Sequence, residues 1–207
     1  MGLSIDPLVN MPGINPEELA LLKDQHFLKA KKQIEVKVTQ LLLESQKSLI
    51  QWVETREIDL PDDVSLIPRK VAKGENYADM PYWVSDFPAN MKGTDLWSFR
   101  TVVWWGNYIS FSLIIAGKYK TAFTPFDLLL QEPDLYFTIA PSPWKLEFEN
   151  EVVKPGLEVR EEEIIQHFEN HDFIKLSVTE KLENVNKLTD LTVVSFEKLI
   201  GTLGKLA

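Results

Sequence analysis

At 207 residues, 44% hydrophobic and 26% charged, the chain falls within the range of one globular domain with a substantial core. Acidic residues outnumber basic ones by 31 to 22, a formal charge of -9 at pH 7. A field of that sign repels phosphate backbones and no Lys/Arg-dense block offsets it, so nucleic acid is not an expected partner. The lack of cysteine excludes disulfides, thiolate catalysis and thiolate metal ligation.

The first residues, MGLSIDPLVNMPGINPEE, show no cationic region followed by an apolar run, so no secretory signal is expected and a cytoplasmic location is the default reading. The Met-Gly start lacks the Ser or Thr wanted for myristoylation, since Asp6 stands there. Every nearly apolar stretch falls well short of the ~20 residues of a membrane span.

A helix is expected from Pro16, with Asn15 as cap, Pro16 at the first helical position, Glu18 completing a capping box and Glu17 at the positive end of the dipole. The apolar residues Ile34, Val38, Leu41, Leu42, Leu49, Trp52 and Val53 follow helical spacing and should pack on a sheet. A straight helix from Pro16 to Arg56 would run ~60 Å at 1.5 Å per residue, against a radius of gyration near ~17 Å for a chain of this size. A break is therefore expected between Asp24 and Lys32, where polar residues dominate.

Residues 57–80, with Pro61, Pro68 and Gly74, read as loop holding at most a short strand at Val64–Ile67. Next comes the densest aromatic stretch: seven of the eleven Trp and Tyr residues lie between Tyr77 and Tyr108. Within it, Gly106-Asn107 separates two β-favourable runs and predicts a central two-residue β-hairpin, pairing Trp105 with Tyr108 and Thr101 with Ser112. That register puts Arg100 and Trp104 on a face with Phe111 and Leu113, and leaves both faces largely apolar. Strands are expected at Leu135–Ile139 and at Trp144–Phe148 with one wet face, then a helix over Glu158–Asn170, a strand through Ile174, Leu176 and Val178, and a last helix from about Asn186 burying Leu188, Leu191, Leu199 and Leu203.

The sum is an α+β fold in a single domain: an N-terminal arm (1–15), a helical region (16–56), a β-rich core (57–157) and a helix–strand–helix end (158–207). A mainly antiparallel sheet is packed by the long N-terminal helix and the C-terminal helices.

Two groups of residues offer chemistry. Arg100, stranded on an apolar face, needs a partner, either Asp86 or an anionic group on a ligand. Arg69, Lys70 and Lys73 stand just upstream as further positive charge. Tyr77, Tyr82, Trp83 and Phe87 flank the loop SDFPANMKGTD and, with Trp104, are suited to wall a pocket, although such residues more commonly fill a core. The second group is Glu163, His167 and His171, spaced four apart on one helix side, with imidazole and carboxylate chemistry suited to zinc. It lacks the HExxH arrangement, and Glu163 to His171 spans about 12 Å, too far for all three to reach one ion unaided.

There is no nucleophile elbow, P-loop or dinucleotide fingerprint. The reading that follows is a binding module for a small anionic or aromatic molecule or for a protein, using Tyr77, Tyr82, Trp83, Asp86, Arg100 and Trp104, with no cofactor, no membrane and no nucleic acid. The alternatives are a metal-dependent hydrolase at Glu163, His167 and His171, and a structural protein or homo-oligomer built on exposed tryptophans.

Overall fold

In a computed structural model the described residues are 13–122, 134–146, 153–155 and 158–203. The chain divides into two compact units, Met1–Lys37 and Val38–Ala207.

In the first unit, Asn15 Oδ1 accepts the Glu18 N–H at 2.9 Å and Glu18 Oε2 accepts the Asn15 N–H at 2.8 Å, the reciprocal capping box that opens α1 (Pro16–Lys23). Asp24 ends α1 in extended geometry and its carboxylate then accepts the Phe27 N–H at 3.0 Å, starting α2 (Gln25–Arg56). The break expected between Asp24 and Lys32 thus falls on one residue that serves two helix ends. No residue of α1 is buried, and Leu19, Leu21, Leu22, Phe27, Leu28, Ile34 and Val36 are exposed. Ile34, read from spacing as part of the packing stripe, is therefore not in it.

In the second unit, α2 buries Val38, Leu42, Ser45, Gln46, Leu49 and Val53. The sheet runs in the order β1-β2-β3-β4-β7-β5-β6, every pairing antiparallel. Its strands are β1 (Ala72–Tyr77), β2 (Met80–Lys92), β3 (Asp95–Trp104), β4 (Tyr108–Ala116), β5 (Tyr136–Thr138), β6 (Val153–Pro155) and β7 (Phe173–Lys181). Helix α3 (Glu161–Asn170) precedes β7, and α4 (Leu188–Gly201) follows a 3-10 turn after it. Helices and an antiparallel sheet in this order make the fold α+β. Between Val64 and Ile67 there is only a single bridge from Ser65 to Ala89, not a strand.

Three expectations need correction. First, the register of β3 on β4 is one residue from that predicted: Thr101 faces Phe111 and Arg100 faces Ser112. The connection holds three residues, Trp105 to Asn107, and is closed by the Asn107 N–H on the Trp104 carbonyl at 3.2 Å. Gly106 takes φ +70° at the third position of this four-residue turn, where a positive φ is tolerated by glycine, one place later than a two-residue loop would put it. A shift of one reassigns every facing pair. Trp97, Phe99, Thr101 and Val103 share a face with Ile109, Phe111, Leu113 and Ile115, while Ser98, Arg100 and Val102 share the other with Ser110, Ser112 and Ile114. The second face is consequently half polar, not apolar.

Second, the segment SDFPANMKGTD is not an irregular loop. It is the second half of β2 and the turn into β3, with Pro88 taken up by a bulge between Asp86 and Ala89, where no ladder donor is required. Third, Trp144–Leu146 is not a strand, although its side chains alternate; Phe148 lies outside the described residues. Tyrosines on the sheet meet this backbone instead of a neighbouring strand: the Leu146 N–H donates to the Tyr77 hydroxyl at 3.0 Å, and the Tyr108 hydroxyl donates to the Leu146 carbonyl.

The first face of the sheet forms the main core with α2, α3 and α4. At its centre the Phe196 ring, fully buried, meets Phe99 at 5.0 Å, Trp52 at 5.6 Å and Trp97 at 6.4 Å, all edge-on. A smaller cluster on the second face joins Val84, Val102 and Trp104 to Leu146.

Candidate functional site

The register separates the aromatic candidates. Tyr77, Tyr82 and Trp104 belong to the cluster on the second face, where Tyr77 lies edge-on to Tyr82 at 6.0 Å and to Trp104 at 5.4 Å. Trp83 lies on the opposite face, 1% exposed in the main core and stacked on Trp105 at 5.0 Å. One pocket wall cannot include both.

Arg100 is satisfied within the sheet. Its Nε donates to Asp86 Oδ1 at 2.7 Å and its Nη2 to Oδ2 at 2.9 Å, a bidentate pair made directly across β2 and β3. Ser98 adds a hydroxyl donor to Asp86 at 3.0 Å, and the guanidinium carbon sits 4.3 Å from the Trp144 ring centre. Of the upstream residues, Lys73 lies 3.8 Å from Glu75, and Arg69 is held through its backbone, on both sides, by the buried Gln46 amide.

At the end of α3, His167 is 3% exposed, with Nε2 2.9 Å from the Phe173 carbonyl. Burial, and then the nearby His171 and Lys120, depress its pKa to about 4. The unfolded chain therefore takes up a proton from pH 6.5 downward while the folded chain resists until about 4. Stability should fall by about 3 kcal/mol as pH drops through that window, and the dependence should flatten in His167→Gln. Urea unfolding at each pH checks this: parallel profiles for the two proteins would remove His167 as the cause. Glu163 is turned to the start of the helix, where its Oε2 accepts the Arg160 N–H at 3.1 Å. Among the described residues, no three His, Asp or Glu side chains form a group that could hold an ion, so the predicted triad is not assembled.

A cavity that combines apolar walls with polar groups lies elsewhere, at one end of the main core. It measures about 460 Å³ and is lined by Pro61, Asp62, Asp63, Trp97, Ile115, Lys118, Tyr119 and Leu203. Trp97 and Ile115, from β3 and β4, are buried beneath it. Gly117, at φ +60°, lets the chain leave β4 against the Thr94 carbonyl, where a side chain would clash, and the Lys118 N–H then bonds Asp95 Oδ1 at 3.0 Å.

The polar rim is one network. Asp63 Oδ1 accepts the Tyr119 hydroxyl at 2.5 Å, and Oδ2 accepts Lys118 Nζ at 2.6 Å and Asn90 Nδ2 at 3.0 Å. Asn90 Nδ2 also reaches the Tyr119 oxygen at 2.8 Å. Hydrogen bonds from Lys118 and Tyr119 lower the Asp63 pKa, and Asp63 in turn raises that of Lys118. Burial, and then the Asp63 carboxylate, raise the Tyr119 pKa, so the phenol stays protonated as a donor. Asp62 adds an exposed carboxylate beside the network. None of these rim residues carried a signal in the sequence: Asp63 and Tyr119 stand 56 positions apart, and no motif links them. Comparison with family models, curated proteins and solved structures gives no match for this chain.

Proposed function

We propose that this protein is a small-molecule binding module whose ligand enters the cavity over Trp97 and Ile115, with an aromatic or similarly flat apolar body and a cationic or donor-bearing end. The observation that carries the reading is a cavity of about 460 Å³ whose apolar floor meets a satisfied, acidic rim. That volume falls within the ~300–1,000 Å³ of small-molecule sites, which pair apolar walls with a few fixed polar groups. Asp62 and Asp63 outweigh Lys118 at the mouth, and the chain carries -9 overall, so a cation is favoured over an anion.

Phenethylammonium and phenylpropionate, matched in size and opposite in charge, separate the alternatives. The amine should raise the melting temperature and shift the amide resonances of Ile115 and Tyr119, the carboxylate should do so less, and Asp62→Lys should reverse the order. If neither compound moves those resonances at millimolar concentration, the reading fails.

A second reading has its own support in the first unit, which exposes Leu19, Leu22, Phe27 and Leu28 with no buried residue in α1. Contiguous exposed apolar surface marks association sites, and a self-associating helical arm would bury these residues. Light scattering should then give an oligomer for the intact chain and a monomer for Leu22→Glu/Phe27→Glu. A monomeric intact chain at 100 μM, on the order of the concentrations where weak dimers form, would discard it.

A further inference from the structure

We propose that His167 and His171 form a two-histidine site for a borderline divalent cation, Zn²⁺ or Cu²⁺, with water completing the coordination. The site is distinct from the cavity over Trp97 and does not depend on it.

The chemistry starts with the tautomer. The Phe173 carbonyl, 2.9 Å from His167 Nε2, can only accept, so Nε2 carries the ring proton and Nδ1 presents a lone pair. Nδ1 is enclosed and has no hydrogen-bond partner. An unmet buried acceptor costs about 1–3 kcal/mol, and in native proteins an ordered water or an ion commonly meets it. A metal-binding histidine characteristically donates its other ring N–H to a backbone carbonyl, which fixes ring and tautomer. His167 has that arrangement already. Phe137 at 5.3 Å and Phe173 at 4.9 Å hold the ring edge-on and limit its rotation.

The second ring lies at a separation that a shared ion allows. His171 caps α3, its N–H bonded to the His167 carbonyl at 2.9 Å, and its ring centre lies 4.8 Å from that of His167 with planes tilted 49°. Two imidazoles on one ion at about 2.1 Å, with an angle at the metal between about 90° and 110°, have ring centres about 4.5–5.2 Å apart. The two histidines border a cavity of about 250 Å³ with Ile139, Glu163, Gln166 and Asn170, which gives room for an ion and its waters. Gln166 and Asn170 in that lining carry amide oxygens, a neutral ligand type.

Charge tempers the affinity. The carboxyl end of α3 favours a cation there, whereas Lys120, bonded to the Phe168 and His171 carbonyls at 2.8 and 2.6 Å, opposes one. With two imidazoles and no converging carboxylate among the described residues, binding belongs in the micromolar rather than the nanomolar range.

The test uses full-length protein without an affinity tag, titrated with ZnCl2 and with CuCl2 by calorimetry and by thermal unfolding. Wild type should bind one equivalent of either ion and melt higher in its presence. His171→Ala, at a half-buried cap position, should keep the apo melting temperature and lose at least about tenfold in affinity. His26→Ala should leave binding unchanged. Absence of heat and of stabilisation with both ions, or equal binding by wild type and His171→Ala, overturns the proposal. So does a crystal structure of protein soaked in zinc in which a water alone occupies His167 Nδ1.

Discussion

Replacing Phe196 by alanine should destabilise the protein by about 3–5 kcal/mol, the range for truncating a fully buried aromatic residue. Phe196 is 0% exposed and its ring edges touch Trp52 of α2 and Trp97 and Phe99 of β3, so it joins α4 to both the long helix and the sheet. Truncation leaves a cavity walled by rigid aromatic rings, which collapse around a void poorly. Phe196→Leu keeps most of the volume and should cost less than half as much. At about 2–4 °C per kcal/mol for a chain of this size, the alanine variant should melt roughly 6–20 °C below wild type. Urea unfolding should show a lower midpoint with an unchanged slope. A loss under about 1 kcal/mol would mean that α4 does not pack on the sheet through this ring.

Asp86→Ala is the second large effect, expected to cost about 3–5 kcal/mol. The Arg100 side chain is only 14% exposed, and both hydrogen bonds that neutralise it come from Asp86. Removing the carboxylate leaves a guanidinium beneath Trp144 with its charge uncompensated, and also strips the Ser98 hydroxyl of its acceptor. The pair as a whole is worth much less than either half suggests, because desolvation offsets most of the attraction. Asp86→Leu/Arg100→Met should therefore be far closer to wild type than Asp86→Ala, and a double-mutant cycle measures the coupling. The same cycle decides between roles for Arg100. A guanidinium held for an anionic ligand would tolerate loss of Asp86 and bind anions more tightly, whereas a structural pair would unfold more easily and bind nothing new.

Arg100 also shows how far sequence reasoning reached. The need for a partner and the identity of Asp86 as a candidate were legible, because a guanidinium in a β-rich, apolar segment has few ways to be neutralised. Its neighbours were not. Reading Gly106-Asn107 as a two-residue turn was chemically sound, but a three-residue connection uses the same glycine one place later. Strong alternation normally exposes such a slip. Here Val102, Trp104 and Ile114 make the polar face apolar enough to hide it.

Pro88 misled in a related way. A proline in an aromatic run argues against a central strand, yet the bulge after Asp86 accommodates it and β2 continues to Lys92. Trp144 to Leu146 misled in the opposite sense. Alternating side chains promised a strand, but the groups that meet the Leu146 backbone are the Tyr77 and Tyr108 hydroxyls, which no local pattern announces.

What the sequence determined by itself is whatever depends on near neighbours. The Asn15 capping box, the break at Asp24, the helical stripe through Leu42 and Leu49, and the alternation of β7 all rest on groups a few residues apart. Their energetics are local, so composition and spacing suffice. Tertiary structure alone decided the strand register, the grouping of Tyr82 with Tyr77 and Trp104, and the cavity where Asp63, Trp97, Tyr119 and Leu203 meet. Those outcomes depend on contacts between distant segments, and the choice among them is made by how the whole sheet packs on its helices.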